Sequence, residues 1–101
     1  MKYGLPEHTI DSMCAVFAQH PEVERVVLYG SRAKGNYKPG SDIDLTLLGT
    51  NLTRQHCAAI DDELDELLLP YSIDLSVFAE LKHPELEAHI ERVGQVLYQR
   101  R

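Results

Sequence analysis

The residues best suited to chemistry fall in two short strings. Tyr29-Gly30-Ser31 ends one apolar run, and after residues 32–41 the chain continues Asp42-Ile43-Asp44 at the head of a second. Side chains alternate across a strand, so Asp42 and Asp44 share a face while Ile43 and Leu45 take the other. Two carboxylates one pleat apart repel each other unless something positive lies between them, and a divalent cation with a preference for oxygen suits that place. Taken alone, an Asp-x-Asp is also explained by two solvated aspartates at a strand edge. A third aspartate alters the balance. Asp74 lies inside Ser72-Ile73-Asp74-Leu75, another apolar segment, where aspartate is disfavoured and an unpaired buried carboxylate is costly. If the two strands are neighbours, Asp74 joins the face of Asp42 and Asp44. Three carboxylates there could hold two magnesium ions, as in phosphoryl-transfer enzymes.

The Gly30-Ser31 turn is the other half of the constellation. Glycine tolerates positive φ and close approach of a ligand to the backbone. Backbone N–H groups at the start of a following helical turn favour phosphate, and the Ser31 hydroxyl adds a donor. Arg32 and Lys34 are placed to neutralise phosphate charge, the first as a planar fork and the second as a point charge. By itself a Gly-Ser turn is an ordinary strand-to-helix connection; the spacing to the aspartates gives it weight.

The elements that must position these residues follow from periodicity. Ile10, Met13, Cys14 and Phe17 form one apolar face of a helix over 8–19, closed by Pro21. Residues 23–29 read as a strand, ended by Gly30, and Ser31 is placed to cap a helical turn through Lys34. Pro39-Gly40 marks a turn before a strand at 42–48. A helix over 53–69, capped by Thr53 and stopped by Pro70, turns Cys57, Ile60, Leu64, Leu67 and Leu68 inward. A third strand covers 72–78. A last helix runs from 84 to 97, with Pro84 in its first turn and Leu86, Ile90, Val93 and Leu97 as its stripe. The expected fold is α/β (α+β), one domain over 1–101 with a small three-stranded mixed sheet flanked by helices. The short link makes strands one and two antiparallel; the full helix makes strands two and three parallel.

The chain has 101 residues, 44% of them hydrophobic, and a formal net charge of −6. That size supports one core and leaves little room for a separate substrate-binding subdomain. The acidic balance argues against direct nucleic-acid binding, which leans on Lys and Arg, although Arg25, Arg32, Lys34 and Lys38 lie in one stretch. Cys14 and Cys57 read as reduced, buried thiols. The acidic run Asp61, Asp62, Glu63, Asp65, Glu66 reads as a solvated helix face. His8, His20, His56, His83 and His89 lack metal-ligand spacing and read as surface or helix-edge residues. With no signal peptide and no apolar stretch of about 18 residues, no membrane is expected and the cytoplasm is the default location.

The whole pattern is more specific than its parts. Gly30-Ser31-Arg32-Ala33-Lys34-Gly35, then Ser41-Asp42-Ile43-Asp44-Leu45, then Asp74 resembles the polymerase β-like nucleotidyltransferase superfamily, and within it the minimal nucleotidyltransferase (MNT) domains. The resemblance is close over residues 23–78. It implies a polymerase β-like nucleotidyltransferase fold and transfer of a nucleoside monophosphate from a triphosphate to a hydroxyl, releasing pyrophosphate. It implies that Gly30 and Ser31 bind the triphosphate, that Asp42 and Asp44 ligate two Mg2+ ions, and that Asp74 ligates the catalytic one and helps to deprotonate the acceptor. Arg32 and Lys34 are added as phosphate contacts on chemical grounds.

MNT antitoxins are paired with HEPN-domain RNase toxins, so the resemblance implies a hetero-oligomer in which AMP passes from ATP to a toxin hydroxyl, often a tyrosine. The absence of an added acceptor segment fits an acceptor supplied by a partner, and the negative charge suits docking on a basic RNA-binding toxin. Two alternatives stand beside it: an antitoxin that neutralises by binding alone, and a nucleotidyltransferase acting on a small molecule, for which a homodimer would supply the pocket.

Overall fold

The computed structural model describes residues 1–101. In chain order the elements are α1 (Glu7–Ala18), β1 (Arg25–Tyr29), α2 (Gly30–Lys34), β2 (Ile43–Leu48), α3 (Arg54–Asp65), β3 (Ile73–Val77), a 3-10 turn (Phe78–Glu80), α4 (Pro84–Val93) and β4 (Gln95–Gln99). The strands form one mixed sheet in the order β3-β2-β1-β4. β1 pairs antiparallel with β2, and β2 pairs parallel with β3, as the connection lengths require.

Strand alternation divides the apolar residues between two layers. Val26 and Leu28 of β1, Ile43, Leu45 and Leu47 of β2 and Val77 of β3 join Met13, Val16 and Phe17 of α1 and Ile60 and Leu64 of α3 in the main core. The opposite face is thinner: Val27 and Tyr29 pack on Ile90 of α4, with Leu48, Phe78, Leu86 and Val93 around them. One face of the sheet is therefore sealed by two helices. The other is only partly covered by α4, and polar residues of the strands can reach solvent there.

The sheet has four strands, where the sequence leads one to expect three. The stripe Leu86-Ile90-Val93-Leu97 continues a helical period to residue 97, but α4 stops at Val93. Gly94 takes an extended conformation, φ −60° and ψ 141°. A Cβ there would strike the Ile90 carbonyl and the Val27 side chain, so only glycine lets the chain turn this tightly against the sheet. The following Gln95–Gln99 pairs antiparallel with β1, with a bulge at Val26/Val27. Arg100 then fastens the new strand to the end of α1. Its guanidinium donates to the carbonyls of Ala18 (3.2 Å), His20 (2.8 Å) and Val23 (3.0 Å), supplying the cation that the last turn of α1 lacks.

α3 is also shorter than 53–69. Thr53 caps it reciprocally with His56: the Thr53 hydroxyl accepts from the His56 N–H, and the Thr53 N–H donates to His56 Nδ1. The helix ends at Asp65. Leu68 has φ 54° and is 88% exposed, so it leaves the apolar stripe assigned to it, while Leu67 and Leu69 pack on the core. Cys14 and Cys57 are free, and burial first of all holds both thiols above their ordinary range.

Arg32 is placed against expectation. It is 1% exposed and its guanidinium is spent on the backbone. Nε and Nη2 donate to the Ser41 carbonyl (3.1 and 2.9 Å), Nη1 to Tyr3 (2.9 Å) and Nη2 also to Pro39 (3.3 Å). The rings of Tyr37 and Tyr71 lie 5.3 and 5.1 Å from its central carbon. A buried cation is tolerated here because carbonyl dipoles and two aromatic faces replace its water. Arg32 thus pins the loop that delivers Asp42, and it is not available to a phosphate. Lys34, two residues on, is exposed. Arg32→Met is expected to cost about 3 kcal/mol in urea unfolding, since it orphans several carbonyls at once. Lys34→Met should stay within about 0.5 kcal/mol.

Candidate active site

The register places three of the residues in a row across the sheet. Tyr29 of β1 is opposite Asp44 of β2, and Asp44 is opposite Asp74 of β3. Residues opposite each other share a face, with backbones about 5 Å apart, and this is the face that α4 only partly covers. The next row is Val27, Thr46 and Ser76, where the Ser76 hydroxyl donates to Thr46 Oγ1 at 3.0 Å. Asp42 lies one residue before β2 and is exposed, like Asp74; Asp44 is half-buried.

Gly30 closes the row from the other side. Its φ is 73°, in the left-handed region, and a Cβ built on it would collide with the Asp44 carboxylate. The carboxylate therefore lies directly against the backbone of the turn. Any larger residue would push it away as well as strain φ. Ser31 follows inside α2, half-buried. It does not cap the helix, whose N-cap position is Tyr29 with no side-chain cap; instead its carbonyl accepts from the N–H of Gly35, which has φ 88°. Gly30, Ser31, Asp44 and Asp74 thus come together, Asp42 stands at the margin, Lys34 lies exposed on α2, and Arg32 is withdrawn into the loop.

The electrostatics of this row are one-sided. Burial, then the charges of Asp74 and Asp42, raise the Asp44 carboxyl above its ordinary range, and His89 partly opposes them. Burial and then Asp74 raise the Tyr29 phenol, opposed in part by the nearby Ser76 side chain, with Asp44 adding to the rise. Asp61 on α3 is raised as well, by burial, by Asp65 and Asp62, and then by Asp74. The acidic face of α3, read from the sequence as merely solvated, adds to the negative field at β3.

This donor set consists of carboxylate oxygens, which fits a hard divalent metal. As placed, no group of three or more carboxylate, imidazole or thiol side chains closes on one point. Two adjacent carboxylates with a third at the margin match a metal that completes its shell with water and ligand phosphates.

Two groups escaped the sequence reading. Tyr29 carries a phenol into the row, and His89 of α4 meets its ring edge to face, with centroids 6.3 Å apart and planes at 82°. His89 immediately precedes Ile90 of the apolar stripe, so its place at the flank of the buried face is the one signal the sequence offers. None of the three aspartates lines a cavity. A concavity of about 360 Å³ runs along β3, past Leu75, Ser76, Val77, Cys57 and Asp61, but the carboxylate row itself is open surface.

The raised Asp44 carboxyl has a consequence for stability. Its protonated form is favoured in the fold, so its contribution is present at low pH and lost as pH rises from about 3.9 through the raised value. At pH 7 with a chelator, Asp44→Asn should therefore unfold at higher denaturant than the wild type. The gap should narrow as the pH falls below the ordinary aspartate range. Added Mg2+ should stabilise the wild type and not the variant. Urea titrations at several pH values check all three outcomes.

The model of the family described as "Polymerase beta, Nucleotidyltransferase" matches residues 12–101. No curated protein is a significant match. Among solved structures, a chain of a toxin–antitoxin with AMP-PNP superposes with a TM-score of 0.71 at 21% identity, covering 96% of this chain and 76% of that one. A chain of the MntA-HepT toxin–antitoxin gives 0.68 at 16% identity, with 94% and 74% covered. A chain of the tri-AMPylated Shewanella oneidensis HEPN toxin in complex with MNT antitoxin gives 0.69 at 17%, with 93% and 72% covered. At these identities the likeness establishes the fold. With the family match over almost the whole length and the glycine-serine turn beside paired aspartates, the chain belongs to the polymerase beta nucleotidyltransferase family.

Proposed function

We propose that the protein transfers AMP from ATP to a hydroxyl of a HEPN-type RNase toxin, a tyrosine by preference, and thereby acts as its antitoxin. The observation that carries the reading is the Asp44–Asp74 pair set against the Gly30-Ser31 turn on an open face of the sheet. Gly30 leaves room for a triphosphate to approach the backbone, and Ser31 offers a hydroxyl and an N–H. Asp42 and Asp44, with Asp74, would hold Mg2+. When bound, the metal would neutralise the triphosphate and lower the pKa of the attacking hydroxyl. The acceptor oxygen attacks the α-phosphorus, the new O–P bond forms as the bond to pyrophosphate breaks, and the hydroxyl proton passes toward Asp74. Lys34 remains a candidate for the outer phosphates, since its amine is exposed on α2.

The aspartates stand on a face of the sheet that α4 only partly covers, which leaves room for a macromolecular acceptor to approach. The structural neighbours support the same partner: one comes from a toxin–antitoxin with AMP-PNP, and another from a complex of a tri-AMPylated HEPN toxin with an MNT antitoxin. A net charge of −6 suits docking on a basic, RNA-binding surface.

The test is mass spectrometry of a co-purified HEPN partner after incubation with ATP and Mg2+. The wild type should add AMP to the partner, and Asp42→Asn, Asp44→Asn and Asp74→Asn should each leave it unmodified. Protection of cells by the Asp42→Asn/Asp44→Asn double variant, with no labelling, would instead establish neutralisation by binding alone.

A further inference from the structure

The electrostatics leave a gap in the site. A nucleoside triphosphate brings several negative charges to a surface already lined by Asp42, Asp44 and Asp74, and phosphate sites are normally completed by donors or cations. Arg32 is buried in its loop, with its donors aimed at the carbonyls of Tyr3, Pro39 and Ser41. Lys34 is exposed and in no ion pair, but it lies at the far end of α2, four residues from Gly30.

One imidazole does reach the row. α4 packs against both β1 and α2, so it runs past the Gly30-Ser31 turn. His89 leans from it onto the ring of Tyr29, edge to face, and Tyr29 is the register neighbour of Asp44. His89 is half-buried. The hydrogen bonds and ion pairs formed by His20, His56 and His83 fasten those rings to other groups, whereas His89 forms none. A ring packed on Tyr29, with neither nitrogen hydrogen-bonded, on a helix that contacts α2, has the features of a preorganised donor.

We propose that His89 is a nucleotide-positioning residue, donating a hydrogen bond from its imidazole to a phosphate oxygen of the triphosphate held at Gly30-Ser31. The proposal rests on the nucleotidyltransferase reading and adds to it a contact from α4, an element outside the glycine-serine and aspartate motifs. The Tyr29 ring sets the orientation of the imidazole, and the phosphate supplies the acceptor it lacks.

Binding of a non-hydrolysable ATP analogue with Mg2+, measured by calorimetry, separates this from a packing role. His89→Phe keeps an aromatic ring on Tyr29 and removes the donor; His89→Gln keeps a donor and loses the ring. A hydrogen bond to a charged group corresponds to about a tenfold or greater change in affinity. His89→Phe should therefore weaken binding about tenfold or more, and His89→Gln should recover most of the loss. In turnover the same defect should appear in KM for ATP more than in kcat. Wild-type affinity in His89→Phe, or a larger loss in His89→Gln than in His89→Phe, would overturn the proposal. Failure of the wild type to bind the analogue would overturn the nucleotidyltransferase reading along with it, so the wild-type titration distinguishes the two failures.

Discussion

Like charges placed side by side in a sheet are unstable company, and the arrangement of this molecule turns on that pairing. Parallel registration of β2 with β3 sets Asp44 opposite Asp74. The backbone of Gly30 then lies close against the Asp44 carboxylate from the other side. Burial first, and then the charges of Asp74 and Asp42, raise the Asp44 carboxyl above its ordinary range. Both aspartates stand on the face where α4 gives only partial cover, while the opposite face is fully occupied by α1 and α3. The fold thus puts its main core on one side of the sheet, and beside the smaller apolar cluster on the other it leaves a concentrated negative charge that a cation would relieve.

The connecting segments serve that pairing. α3 provides the long crossover that makes β2 and β3 parallel, and its capping box fixes where the crossover begins. The loop after α2 is held by the Arg32 guanidinium, which fastens Ser41 immediately before Asp42. β4 completes the sheet beyond β1, and Arg100 ties it to the carbonyls at the end of α1. α4, pinned between β1 and the Gly94 turn, is thereby held over the Tyr29 end of the row.

Much of this could be read from residue types and spacing. The alternation in β2 predicts the shared face of Asp42 and Asp44. The apolar surroundings of Asp74 predict a strand, and the length of the helix before it predicts parallel pairing. Three features lay beyond that reach. The spacing of Leu97 imitates a helical stripe, but α4 stops at Val93, and an extended Gly94, packed where a Cβ would meet Ile90 and Val27, turns the chain into β4. Leu68 continues the stripe of α3 on paper, yet a left-handed backbone turns it into solvent. Arg32 lies inside the glycine-serine string, where a phosphate role is the natural inference, but long-range contacts with Tyr3 and Tyr71 decide its direction. Such tertiary contacts leave no local trace in sequence. His89 belongs to the same class, because its neighbour Tyr29 is distant along the chain.

The central claim is that the Asp44–Asp74 pair and the Gly30-Ser31 turn form one metal–nucleotide site. Its most direct measurement is a crystal structure with Mn2+ and a non-hydrolysable ATP analogue, with the metal located by anomalous scattering. The account predicts a metal peak beside the carboxylates of Asp42, Asp44 and Asp74, with the triphosphate seated on Gly30-Ser31. A nucleotide bound elsewhere, or a metal peak remote from these aspartates, would contradict it.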